Sequence, residues 1–285
     1  MASAADARAL AQTRVRWELL ANLVRKDLKV KYKNSALGFA WSLVNPLLYL
    51  AVFSIVFGGF LRGGIPKFGV YLMSGLLVWN FFATGTMGAT GAVTGSANLV
   101  KKVRFPRIVL PLASVGFAAV HFVLQLGVLF AVLLVIYRSA FGPQLWLLLP
   151  ALAVAVAFTV GMSLLASSLN VRFRDVEHLL EVALLAWFWL TPIVYPLALV
   201  RDKLRGLFWI FMANPMTTVV ASMQRAVYRY EWRPVKTGPP VHVLAAGGYA
   251  FYLRWLGVAG AVSLVLIAVG LVTFRRLEAD FAEEL

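Results

Sequence analysis

Cysteine is absent from this 285-residue chain. That excludes disulfides, thiol nucleophiles and cysteine-based zinc sites. Charge is scarce too, at 14% of residues. A soluble domain carries about 25%, so too little charge is present to coat a water-facing surface. Acids are the scarcer sign, with 12 Asp and Glu against 27 Lys and Arg, a net charge of +15. The three histidines lie far apart and form no H-x-x-x-H or H-E-x-x-H pair. A G-x-x-x-x-G-K-[ST] phosphate loop and a G-x-S-x-G nucleophile elbow are also missing. The sequence therefore offers no catalytic residues, no metal ligands and no cofactor site, and is not read as an enzyme.

What remains is apolar. Hydrophobic residues make up 61% of the chain, and its mean hydropathy is +0.81. Uncharged runs cover 39–60, 68–94, 108–137, 139–171, 182–200, 206–224 and 255–274. About 20 apolar residues cross a bilayer core as helix, and lipid gives a bare backbone no hydrogen-bond partners. The fold class is therefore all-α, a polytopic membrane protein. The strong positive charge does not point to nucleic acid, because the basic residues flank the apolar runs as the positive-inside bias requires.

Residues 1–37 are polar and basic and read as a cytoplasmic region with no cleavable signal. Within it, Trp17, Leu20, Val24 and Leu28 recur at helical spacing, with Arg14, Arg25, Lys26, Lys29 and Lys33 mostly on other faces. This is an amphipathic interface helix. Transmembrane spans are expected at about 39–60, 69–94, 109–136, 146–169, 179–198 and 255–274, within a membrane domain of 38–275. Residues 276–285 follow as a cytoplasmic tail. The second span ends in Gly85, Gly88, Gly91 and Gly95, spaced to lie on one helix face. That stripe either admits a close helix or marks a loosened helix.

The run 206–224 has Asn214-Pro215 at its middle, and a residue before proline is pushed away from helix. Two short re-entrant helices are expected there. Six spans with both termini inside leave 16 Lys and Arg on the inner side and 11 on the outer. A seventh span at 206–224 changes this to 19 and 8, so charge alone favours seven and the Asn-Pro break favours six. Six is the reading adopted. His121 and Gln125 share one helix face in the third span, and Glu181 lies near the start of the fifth. Each is a functional candidate as an intramembrane polar group, while an interhelical hydrogen bond is the plainer reading for His121 and Gln125.

Several segments taken together resemble the permease subunits of ATP-binding-cassette exporters of the polysaccharide type, which move O-antigen, teichoic acid and capsule precursors. They run from Val24-Arg25-Lys26-Asp27-Leu28-Lys29-Val30-Lys31-Tyr32-Lys33-Asn34-Ser35 through Leu37-Gly38, Trp41 and Asn45-Pro46. Asn98-Leu99-Val100-Lys101-Lys102-Val103 follows, with Phe105-Pro106 and Leu110-Pro111. The last are Arg172-Phe173-Arg174-Asp175-Val176, Thr191-Pro192-Ile193-Val194-Tyr195-Pro196 and Asn214-Pro215-Met216-Thr217. The resemblance implies a six-span homodimer in the inner membrane with a separate ATPase subunit on each copy. A drug or small-lipid exporter permease is the alternative, and a stand-alone membrane enzyme is disfavoured by the missing acids and histidines.

Force from a separate ATPase must enter through a cytoplasmic contact. The connection 96–106 is expected to supply it as a short helix capped by Ser96. Asn98, Lys101, Lys102 and Arg104 continue that helix, and Phe105-Pro106 stop it, with Phe105 the plug for a partner groove. Sugar rings stack on aromatic faces, and among 38 aromatic residues Trp79, Phe82, Trp187 and Tyr195 are expected along the glycan pathway. Arg25, Lys29 and Lys33 are expected to meet a lipid pyrophosphate or ordinary anionic membrane lipid.

Overall fold

Long apolar runs without interior charge leave the backbone no favourable state but helix, and the computed structural model is helical almost throughout. It describes residues 4–33, 35, 40–56, 65–103, 105–136, 142–204, 206–228, 232–233, 241–244 and 247–285. In order the helices are α1 (Ala4–Tyr32), α2 (Trp41–Ile55), α3 (Phe68–Thr90), α4 (Ala97–Lys102), α5 (Val109–Val135), α6 (Leu148–Arg172) and α7 (Val176–Leu190). α8 (Leu197–Lys203), α9 (Phe208–Ala213), α10 (Pro215–Val227), α11 (Tyr249–Leu277) and α12 (Phe281–Glu284) follow. Between α10 and α11 the strands β1 (Trp232–Arg233) and β2 (Val241–His242) make a short antiparallel ladder with Trp232 opposite His242.

Four helices among the described residues are long and apolar enough to cross a membrane: α3, α5, α6 with the 3-10 turn before it, and α11. The expected first and fifth spans are shorter. α2 and α7 have 15 residues each, about 22 Å at 1.5 Å per residue. Thr191 stops α7 in extended conformation just before Pro192, so the expected helix over 179–198 ends early and 197–203 form the separate short helix α8. α1 is longer than the amphipathic stretch required, running 29 residues.

Local chemistry explains several boundaries. Asn214 is the N-cap of α10, and its side-chain oxygen accepts from the Met216 amide at 3.0 Å. Pro215 at the first helical position loses no hydrogen bond. The break expected at Asn214-Pro215 is thus a helix start, and 206–224 becomes α9 and α10. Lys67, just before α3, has φ of 48°, an uncommon left-handed setting for a residue with a Cβ.

Two hydrophobic clusters hold most of the buried apolar residues, a large one through the body of the helices and a small one at one end. The smaller gathers Val93, Val100, Leu110, Leu164, Val171, Phe274 and Phe281, from the turn after α3, α4, the start of α5, the later parts of α6 and α11, and α12. Leu23 of α1 packs on it, so the described parts of both terminal regions meet there. Lys101, Lys102, Arg172, Arg275 and Arg276 surround this basic end. At the opposite end Tyr228 donates to the Pro66 carbonyl at 2.6 Å, and Gln224 donates to the Pro192 carbonyl at 3.2 Å. α10 packs there beside Gly75, where an added Cβ would meet Val220 and Gln224.

Candidate coupling end and aromatic groove

α3 unwinds into a turn at 91–93 and a 3-10 turn at Thr94–Ser96, and α4 begins at Ala97. Ser96 occupies the N-cap position as expected, but its side chain makes no capping bond. α4 stops at Lys102, and Val103 is extended, so the helix ends before Phe105-Pro106. Arg104 lies outside the described residues. Val100 is 4% exposed and anchors α4 in the basic-end cluster. Asn98, Leu99, Lys101, Lys102 and Val103 face outward. Phe105 and Pro106 are half-buried, and Phe105 packs on the cluster of its own chain.

The more accessible apolar groups here are therefore Leu99, Val103 and, in the turn between α6 and α7, Phe173, which is 57% exposed with Arg172 over its ring. Sequence reasoning missed them as contacts. The available signal was an apolar pair four residues apart inside a basic segment, and an aromatic flanked by two arginines.

Asn170 joins these parts. It is 2% exposed. Its amide group donates to the Thr90 carbonyl at 3.1 Å, and its side-chain oxygen accepts from the Glu177 amide at 3.2 Å. One buried side chain thus ties the end of α3, just before the 96–106 connection, to the start of α7.

The glycine stripe does not serve one neighbour. An added Cβ at Gly85 would meet Thr159 at 3.0 Å, one at Gly88 would meet Ser114 at 3.4 Å, and one at Gly91 would lie 3.6 Å from the Glu177 carboxylate. Gly95 has nothing within 4 Å. Close packing holds for the first half and loosening for the second. Between the second half, α1 and α5 lies a polar cavity of about 270 Å³ lined by Lys26, Asp27, Ser96 and Ser114.

Arg25, Lys29 and Lys33 are all exposed and, four residues apart, follow one stripe of α1. The inward face carries Leu23, Val24 and Leu28, whereas Trp17, expected on the apolar face, is 65% exposed. Val24 packs at Gly116, where an added Cβ would sit 2.9 Å from its methyl. Higher up, the Tyr32 hydroxyl lies 2.6 Å from His121 Nε2, and His121 Nδ1 lies 2.9 Å from the Phe117 carbonyl. That carbonyl can only accept, so in the neutral ring Nδ1 carries the proton and Nε2 accepts from tyrosine. His121 is thereby an interhelical fastener. Gln125 is half-buried.

The expected pathway aromatics are partly brought together. Trp79, Phe82 and Trp187 form one ring cluster with Phe158 and Phe188, at centroid separations of 5.3–6.5 Å. Phe82 is fully buried and Trp79 is 5% exposed. Trp79 forms part of the wall of a groove of about 510 Å³ between α3 and α7, with Met87, Glu181 and Phe188. Trp187 lines a neighbouring apolar groove of about 330 Å³ with Ile210 and Phe211. Tyr195 sits in the turn after α7, its hydroxyl donating to the Trp189 carbonyl at 2.8 Å. Glu181 is exposed on the groove wall.

A family model described as "ABC-2 type transporter" matches residues 18–228. The chain belongs to the ABC-2 type transporter family. An O-antigen export system permease protein, RfbA, of Klebsiella pneumoniae is 32% identical over 268 residues, 94% of this chain and 95% of that protein. The protein of the same description from Myxococcus xanthus is 31% identical over 271 residues, again 94% and 95%. The polysialic acid transport protein KpsM of Escherichia coli is more distant, 19% identical over 212 residues, 72% of this chain and 79% of its own. The resemblance read from the ordered segments holds, and this ABC-2 member is a membrane transport protein.

Proposed function

We propose that this chain is the permease of an ATP-driven exporter that carries a lipid-linked polysaccharide or its precursor across the inner membrane. It works as a homodimer, and each copy is driven by a separate ATPase subunit. The observation that carries this reading is α4: a six-residue helix pinned inward by Val100 alone, with Leu99, Lys101, Lys102 and Val103 turned outward at the basic end. Such a helix suits rigid-body transmission. Similarity to O-antigen permeases over nearly the whole chain supports the glycan as cargo.

The basic end is cytoplasmic in this reading, in keeping with the positive-inside bias. α2, α3, α5, α6, α7 and α11 are then the six crossings. α7 ends and α11 begins at the side away from that end, so α8, α9 and α10 stay on the outer side as re-entrant elements. Trp187 offers a ring to glycan moving along the grooves, Trp79 contributes to the groove wall, and Phe82 backs them from inside. Arg25, Lys29 and Lys33 meet the lipid pyrophosphate or the anionic headgroups around it.

Leu99→Glu combined with Lys102→Glu tests the coupling surface, since both positions are exposed and tolerate charge without refolding. The double variant is expected to lose at least tenfold of the co-purified ATPase while keeping the melting temperature of the permease alone. Full assembly and undiminished permease-dependent ATP hydrolysis would overturn the assignment.

A further inference from the structure

We infer that residues 278–285 are a clamp that positions the 96–106 segment, an inference that rests on the coupling reading above. Arg107 lies two residues before α5, and Glu278 is the C-cap of α11, next to that helix's last carbonyls. Arg107 and Glu278 exchange bonds across these two helix ends. The Arg107 amide donates to Glu278 Oε1 at 3.2 Å, and the Arg107 guanidinium donates to the Glu278 carbonyl oxygen. A carboxylate at a helix start and a cation at a helix end are each favoured by the helix dipole. Arg107 directly follows Phe105-Pro106, so the bond fixes the exit of the coupling segment.

Phe281 fixes its body. The ring is fully buried and stands edge-on to Phe274 at 5.3 Å. It shares a cluster with Val100, the anchor of α4, and α12 packs directly on α4. Leu285 packs on the same cluster. Residues 276–285 read from sequence only as a cytoplasmic tail, whereas a tail lying free in water would bury no ring. Phe281 and Glu278 are positioning residues: they touch neither nucleotide nor cargo, and act through α4 and Arg107.

Hydrogen exchange on the full-length chain tests the clamp. Phe281→Ala is expected to raise exchange across 97–110 at least tenfold while leaving 215–227 unchanged, and Phe281→Leu is expected to restore protection. Glu278→Ala, a milder change should the ring variant fold poorly, is expected to raise exchange at 105–110 about threefold, with Glu278→Gln restoring it. In complex with the ATPase, Phe281→Ala is expected to keep co-purification within twofold of wild type yet cut permease-dependent hydrolysis at least fivefold. Unchanged exchange in both Phe281→Ala and Glu278→Ala would overturn the clamp. Raised exchange with full hydrolysis would overturn its positioning role. The Leu99→Glu, Lys102→Glu double variant separates the two ideas: intact hydrolysis there sinks the coupling reading and leaves the exchange result standing.

Discussion

Glycine does opposite work in two regions of this molecule. Along the seam of α6 and α11, Gly161 and Gly270 let two backbones touch. A Cβ on Gly161 would sit 2.9 Å from the Ile267 amide nitrogen, and one on Gly270 would sit 2.9 Å from the Gly161 carbonyl oxygen. Lipid supplies no hydrophobic drive between helices, so association relies on such close packing. Along the far half of the α3 glycine run no backbone approaches. Gly91 faces a carboxylate, Gly95 faces open space, and the helix unwinds. The same residue fixes one pair of helices and frees the segment leading to α4. What a glycine does is decided by what stands opposite it.

Gly270→Leu should break the seam with the largest effect. A side chain at 270 would meet the Gly161 carbonyl oxygen, Leu164 Cβ and the Leu165 amide nitrogen, none of which can rotate away, so the cost should reach or exceed ~3 kcal/mol, the top of the usual overpacking range. The expected outcome is a sharp loss of monodisperse protein on size exclusion in detergent, with a lowered melting temperature in what survives. A melting temperature equal to wild type would mean the seam opens more easily than its geometry says.

Asn170→Ala attacks the looser region at the side-chain hydrogen bonds that tie the end of α3 to α7. It removes the donor to the Thr90 carbonyl and the acceptor for the Glu177 amide, leaving two backbone groups short of partners. Losses of that kind cost about 1–3 kcal/mol. Melting should fall by less than in Gly270→Leu, and limited proteolysis should quicken within 91–96. Proteolysis at the wild-type rate would show that this stretch is held by something other than Asn170.

The contrast also separates what could be read in the sequence from what could not. The break at Asn214-Pro215 was legible because cap chemistry is local: a side chain and the proline next to it decide it. The membrane class and the short helix before Phe105 were legible for the same reason, as composition and spacing carry them. The glycine run drew attention through its periodicity, yet the tightest approach belongs to Gly161 and Gly270, which are isolated in the chain and meaningful only as a pair. The ring cluster explains why Trp79 and Phe82 are less open to a passage than their position in a span suggested. Phe281 and the Arg107–Glu278 exchange were invisible, since an acidic tail shows nothing of the pocket that receives it. His121 was visible as an intramembrane polar group, and its partner Tyr32, 89 residues away, was not.

Gly95→Ala should have the smallest effect and the opposite sign. The position has no positive φ and no neighbour within 4 Å of an added Cβ, so the methyl group costs nothing in the folded state. Removing a glycine restricts the unfolded chain and stabilises by about 0.4–1 kcal/mol where the native backbone tolerates alanine. Melting in detergent should therefore hold or rise slightly. If Gly95→Ala instead weakened the protein as much as Gly270→Leu, the space beside residues 94–96 would be filled in the working molecule. The two glycine regions would then differ in degree and not in kind. If melting holds while permease-dependent hydrolysis slows, the freedom of that turn belongs to the coupling proposed for α4.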